Sequence, residues 1–163
     1  MIGIAARSKN NVIGKNGAIP WSCPEDLDFF KRMTVNKNII VGSTTFKTLP
    51  FLPHRDIFIM TKRNINDVKM DVSIYPQATK YFVNGRKVEF VNSVFDVPED
   101  SFLCGGAEIY KRYMEYCEYF YLTTIDKEVD GDTTFPMKEF LELFTRKEEV
   151  EKGDGYIIEI YRK

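Results

Sequence analysis

Residues 101–116, SFLCGGAEIYKRYMEY, change character twice. Ser101–Cys104 is a short apolar run of strand type. Gly105-Gly106 interrupts it, and Ala107–Tyr116 places Ile109, Tyr113 and Tyr116 at helical spacing toward a core. Two adjacent glycines at such a turn suit a backbone that must approach something closely or adopt an unusual peptide geometry. They suit tight packing of helix on strand equally well. The same pattern occurs earlier. Asn38–Gly42 (NIIVG) is a continuous apolar run, as in strands covered on both faces, and it leads directly into Ser43-Thr44-Thr45-Phe46, which reads as an N-cap and first helical turn. Two strand–turn–helix units imply crossovers, and hence a parallel sheet.

Around these units the order of elements is legible. Met1–Arg7 reads as a buried strand, Ser8–Ile19 as a loop punctuated by Asn-Asn, Gly14 and Asn16-Gly17, and Pro24–Met33 as an amphipathic helix. Ile57–Thr61 (IFIMT) is a further buried strand. VSIYP fits a strand, and YFVNGRKVEF fits a hairpin turning at Asn84-Gly85. Glu89–Asn92 adds to the sheet, and Tyr119–Ile125 is a long strand rich in aromatic and β-branched residues. The C-terminus reads as a hairpin over Phe144–Glu151 and Tyr156–Tyr161. The whole is an α/β domain: a mostly parallel central sheet with an antiparallel edge. Ligands of such sheets bind beyond the carboxyl ends of the strands, where Ala6, Gly42-Ser43-Thr44, Thr61-Lys62 and Cys104-Gly105-Gly106 all fall. Free N–H groups at the two turns suit a pyrophosphate, and Lys62 and Arg63 an additional phosphate.

One acid stands out. In Trp21-Ser22-Cys23-Pro24-Glu25-Asp26-Leu27, Ser22 and Glu25 have the spacing of a capping box, with proline tolerated in the first turn. Asp26 then falls among Trp21, Leu27 and Phe30. Either it faces water and is favoured by the helix dipole, or it is poorly solvated and needs a hydrogen-bond partner, a raised pKa or a cationic ligand.

The totals narrow the function. The chain has 163 residues, with 23 Lys plus Arg against 24 acids, which argues against nucleic acid or an anionic membrane as the main partner. No apolar run reaches membrane-span length, and MIGIAARS lacks a secretion-signal layout, so a mature cytoplasmic chain is expected. A monomer is the expected state. Cys23, Cys104 and Cys117 match no metal or redox spacing. With His54 the single histidine, no metal site is expected.

Several ordered blocks resemble the dihydrofolate reductase family: IAA near the start, VIGKNGAIPW, PEDLDFFKRMT, IIVGSTTF, LPHR, FLCGGAEIY and YLTTIDKEVDGDTTFP. The resemblance spans the chain except 64–100. It implies one reductase domain over 1–163, with an adenosine-binding part over about 37–98. It also implies an eight-stranded sheet with a C-terminal hairpin and about four helices. The implied reaction is NADPH-dependent reduction of 7,8-dihydrofolate to tetrahydrofolate. Asp26 would hold the pterin and favour protonation of the neighbouring ring nitrogen, Thr123 would hydrogen-bond Asp26, and Trp21 would orient water and close the site. Tyr110 would stand beside the reacting rings. Ile4, Ala5, Leu27, Phe30, Lys31, Leu49, Leu52 and Cys104 would surround the substrate, and Arg55 would take its glutamate carboxylate. The nicotinamide would lie along Ala6, Ile13, Gly14, Ile19, Cys104 and Tyr110. Thr44, Thr45, Gly105, Gly106 and Ala107 would hold the pyrophosphate, with a cis peptide between the two glycines, and Gly42, Ser43 and Ile109 would also contact the cofactor. Thr61, Lys62, Arg63 and Glu108 would lie toward the adenosine, and Asp132 would tune the active-site loop from a distance. Two positions depart from the family pattern. Ser43 and Glu108 stand where many members carry basic residues, so the 2′-phosphate keeps Lys62 and Arg63. A rival reading is a non-catalytic nucleotide- or pterin-binding module on the same fold.

Overall fold

A computed structural model describes residues 1–63 and 75–163. Its main sheet has eight strands in the order β5-β4-β3-β6-β1-β7-β10-β9. These are β1 Ile2–Ser8, β3 Asn38–Gly42, β4 Asp56–Met60, β5 Val88–Val91, β6 Phe102–Leu103, β7 Tyr119–Ile125, β9 Arg146–Gly153 and β10 Tyr156–Arg162. A two-stranded ribbon joins β2 (Val12–Gly14) to β8 (Thr133–Thr134). All pairings from β5 across to β7 are parallel, and β10 runs antiparallel to both β7 and β9. The outer strand β9 (RKEEVEKG) is exposed along most of its length, and its charges protect an unpaired edge.

The chain leaves β1, lays down β3, β4 and β5 on one side, then returns to insert β6 between β3 and β1. The carboxyl ends of β1, β3 and β6 therefore adjoin where the winding reverses, the place where such sheets form ligand clefts. Two helices start there, α2 Ser43–Thr48 and α4 Ala107–Tyr113, while α1 Pro24–Thr34 follows β1 after β2 and a longer loop. The other α-helices among the described residues are α3 Ala78–Val83 and α5 Met137–Leu143. Ile39, Ile40 and Val41 of β3 and Ile57 and Ile59 of β4 have no exposed surface, as their continuous apolar runs require. On α4 it is Tyr110, with Met114 just beyond, that is buried, while Tyr116 is 44% exposed. The segment after Tyr113 is a short 3-10 turn, so the periodicity expected to continue to Tyr116 stops early.

One local expectation is corrected. Tyr81-Phe82-Val83 closes helix α3 instead of forming the first arm of a hairpin. Asn84 is its C-cap and Gly85, at φ 74°, its left-handed stop, a role the Asn-Gly pair fills as readily as a hairpin turn. Tyr81 inside this helix has almost no exposed surface, and its hydroxyl accepts from the Leu52 N–H at 3.1 Å. The strand expected over VSIYP falls largely outside the described residues; Tyr75 and Pro76, which are described, lie in a turn.

Candidate active site

Helix α1 begins one residue later than the capping-box reading places it. Proline is the first helical residue, which holds its predecessor extended, so Cys23 (φ −142°, ψ 90°) becomes the N-cap and Ser22 lies outside. No side chain caps the helix; instead the Cys23 thiol donates to Glu25 Oε2 at 3.7 Å. Asp26 stays in the first turn and is partly buried. Burial raises its carboxyl pKa above the ordinary value, and the charge of Glu151 adds to the rise. The Thr123 hydroxyl, within hydrogen-bonding reach on β7, opposes it. Thr123 itself is 2% exposed. The acid is thus under-solvated and has one polar neighbour placed to serve it. Trp21, Phe30 and Cys104 pack with buried Ile4, Phe29 and Phe102 in one apolar cluster beside it.

Arg55 is the second unusual charge. It is only 4% exposed, and burial lowers its pKa. Its guanidinium donates twice to Thr34 Oγ1 (3.2 and 3.0 Å), and also to the carbonyls of Lys31 and Pro53. These contacts tie the end of α1 to the loop before β4. No ion pair joins Arg55 to any acid among the described residues. Four of its five N–H groups are used, leaving one donor and an uncompensated positive charge.

A groove of about 850 Å³ opens where the β3–α2 and β6–α4 turns meet, and Asp26, Thr123 and Arg55 are not among the residues that line it. It unites most of the residues expected to face a cofactor: Ile13, Gly14 and Ile19 from the first loop, Gly42, Ser43, Thr44 and Thr45 from the β3–α2 turn, Thr61 and Lys62 after β4, and Gly106, Ala107, Glu108 and Ile109 from the β6–α4 turn. The two turns meet directly. Gly42 N–H donates to Gly105 O at 2.8 Å, and a methyl added to Gly106 would stand 3.1 Å from Thr45 Oγ1, close enough that the threonine side chain would have to give by a few tenths of an ångström. The Gly105-Gly106 peptide is cis.

Some expected residues take other places. Leu52 has no exposed surface and packs in the core with Tyr81. Tyr110 is buried, and its hydroxyl donates to Ile4 O at 2.7 Å, fixing β1 to α4. Ala5 is buried and Ala6 only partly so. Lys31 and Arg63 are exposed, and Leu27 is 44% exposed. Leu49 lines the groove. Sequence reasoning missed Thr48, Met60 and Arg112 on its wall. It also missed Thr34 as the anchor of Arg55. Arg112 alone left a trace, standing four residues after Glu108 on α4.

The first loop is latched across the molecule. Asp132 Oδ2 accepts from Asn16 N–H at 2.9 Å, Thr133 Oγ1 donates to Asp132 Oδ1, and Asp132 N–H donates to Gly14 O at 3.1 Å. These bonds hold the Asp132 pKa below its ordinary value, the Asn16 amide contributing most. The contact is direct, not remote.

The family profile described as Dihydrofolate reductase matches residues 1–162. The chain belongs to the dihydrofolate reductase family. Among curated members, it is 36% identical to the dihydrofolate reductase of Buchnera aphidicola subsp. Acyrthosiphon pisum (strain APS) over 135 residues, covering 82% of this chain and 76% of that protein. It is 32% identical to the Haemophilus influenzae enzyme over 152 residues, covering 93% and 88%. The fold superposes on Dihydrofolate reductase from Enterococcus faecalis, solved in complex with NADP(H) and RAB-propyl, with a TM-score of 0.73 and 24% identity over 99% of this chain and 94% of that one. Among the described residues no group of His, Cys, Asp or Glu could hold a metal ion, and no helix is long and apolar enough to cross a membrane.

Proposed function

We propose that this chain reduces 7,8-dihydrofolate to 5,6,7,8-tetrahydrofolate with NADPH. The observation that carries the reading is the under-solvated Asp26, with the Thr123 hydroxyl beside it, in a fold that also opens a groove at the switch point of its sheet. The groove suits a dinucleotide: apolar Ile13 and Ile19 toward one end, close backbone at Gly42 and Gly106 with Thr44 and Thr45 in the middle, and the charged Lys62 and Arg112 at the other. NADPH, when bound, supplies the hydride. The protein supplies orientation, a dry pocket and one tuned acid.

Asp26 accepts hydrogen bonds from the amino-pyrimidine edge of the pterin and favours a proton on the ring nitrogen next to the carbon that receives the hydride. Its raised pKa matters, because a group that shares a proton near neutrality does so best when its own affinity lies close to the working pH. Thr123 keeps the carboxyl oriented. Ile4, Phe30 and Leu49 form an apolar wall, and Leu27, exposed here, is positioned to be covered by an aromatic ligand. The spare charge of Arg55 takes a substrate carboxylate. Trp21 and the latched loop exclude water. All these groups come from one chain, which supports a monomer, and three free cysteines fit a reducing cytoplasm.

The test is spectrophotometric: NADPH is consumed only when dihydrofolate is present, and at equal molar amounts. A well-folded sample that consumes none refutes the reading and favours a non-catalytic module.

A further inference from the structure

The charged rim of the groove has an internal competition. Lys62 Nζ is ion-paired to Glu108 Oε1, and Arg112 NH2 stands 3.9 Å from the same oxygen. Lys62 follows β4, and Glu108 and Arg112 lie one turn apart on α4. They are the only charged side chains lining the groove among the described residues. Lys62 and Glu108 are each 65% exposed and Arg112 45%, so as a stabilising device the cluster is worth little. Its position is more telling. By strand order Lys62 lies at the end of β4, three strands from β1, while Thr123, the neighbour of Asp26, lies on β7 at the far side of β1. The cluster is therefore at the end of the groove away from the reacting rings.

Taking the reading above that a nicotinamide dinucleotide fills the groove, its adenosine ribose lies at this end. The two common forms of that cofactor differ only there, by a 2′-phosphate or a 2′-hydroxyl. A phosphate ester carries about −1.5 to −2 charges. To reach Lys62 it must displace the Glu108 carboxylate, and afterwards it sits close to that like charge. A hydroxyl faces no such conflict, because it donates to the carboxylate with both cations still in place. We propose that Glu108 is a specificity-determining residue at the ribose 2′ position: by occupying Lys62 and Arg112 it opposes the 2′-phosphate, accepts the 2′-hydroxyl, and narrows the preference for NADPH over NADH.

Adenosine 2′,5′-bisphosphate and adenosine 5′-monophosphate isolate this end of the cofactor, and calorimetry reads their binding without turnover. In Glu108→Gln, affinity for the bisphosphate rises about tenfold, the size expected when one like charge a few ångströms away is removed in high dielectric. Affinity for the monophosphate stays level or falls. Adding Lys62→Gln to Glu108→Gln abolishes the gain, and added salt shrinks it. The ratio of kcat/KM for NADPH over NADH moves in parallel. A ratio of the two nucleotide affinities that shifts by less than about twofold overturns the proposal. So does an equal gain for both nucleotides, or a gain that survives Lys62→Gln. If wild-type protein shows dihydrofolate-dependent NADPH consumption and the ratio still does not move, Glu108 alone has been misread. If there is no consumption and neither nucleotide binds, the proposed function has failed and the role of Glu108 falls with it.

Discussion

Arg55→Met separates the bracing that Arg55 performs in the structure from the carboxylate binding proposed for it. The first is structural. Methionine keeps the length and loses all four hydrogen bonds, leaving Thr34 Oγ1 and the carbonyls of Lys31 and Pro53 without their donor. Thr34 has no exposed surface, so its oxygen is orphaned, although its hydroxyl still donates to Phe30 O at 2.8 Å. The other two acceptors are only part-buried and recover water. One full orphan at about 1–3 kcal/mol and fractions for the others give a loss near 2 kcal/mol, partly offset because a desolvated cation is also removed. The second job is binding. Four of five N–H groups are engaged, so a substrate carboxylate gains one charge-assisted bond unless a contact to Thr34 is released. Such a bond is worth about 2 kcal/mol, or roughly thirtyfold in KM. Urea unfolding reads the first effect. Steady-state kinetics with dihydrofolate, and with dihydropteroate, which lacks the glutamate, read the second. The expected result is a KM rise of this size for dihydrofolate, little change for dihydropteroate, and a nearly constant kcat. An equal rise for both substrates refutes the carboxylate role and leaves Arg55 as a brace.

Other outcomes follow from the same geometry. Asp26→Asn lowers turnover by about 10²–10⁴ at neutral pH, and by much less in acid, where the substrate takes its proton from solution; a pH-independent loss shows that Asp26 only binds. The same variant tests stability. Because the folded pKa of Asp26 is raised, its contribution is fully present below the ordinary value of 3.8 and is lost as pH rises through the folded value. Urea midpoints of Asp26→Asn and wild type therefore coincide in strong acid, and the variant becomes the more stable of the two toward neutrality. Asp132→Ala frees the Asn16 amide and loosens the loop, lowering kcat/KM about tenfold while the unfolding midpoint barely moves, since an exposed latch gates access more than it holds the fold. With its pKa depressed, Asp132 keeps this latch above its unfolded value and loses it as pH falls through the folded one, so loop protection against hydrogen exchange drops only in acid.

Strands β3 and β4 were legible because continuous apolar runs have few other uses, and the Gly-Gly turn because little else sits between strand and helix. Legibility ended where one local signal serves two structures. Asn84-Gly85 stops a six-residue helix too short to show periodicity, and Pro24 moved the cap from Ser22 to Cys23. Asp26 could be singled out from its apolar neighbours, but its partner Thr123 is nearly a hundred residues away and came only through family resemblance. The anchoring of Arg55 on Thr34, the contest of Lys62 and Arg112 for Glu108, and the direct bond from Asn16 to Asp132 are facts of folding alone. Burial was not legible either: Leu52 and Tyr110, read as lining substrate and cofactor, are both packed in the core.

The central claim is a direct hydride transfer from cofactor to pterin beside Asp26. It is tested most directly with NADPH deuterated at its transferring carbon and 7,8-dihydrofolate in ordinary water. The expected product is tetrahydrofolate carrying one deuterium at C6, formed more slowly than with unlabelled cofactor when the chemical step is isolated. Tetrahydrofolate without deuterium, or NADPH oxidised with dihydrofolate left intact, contradicts it.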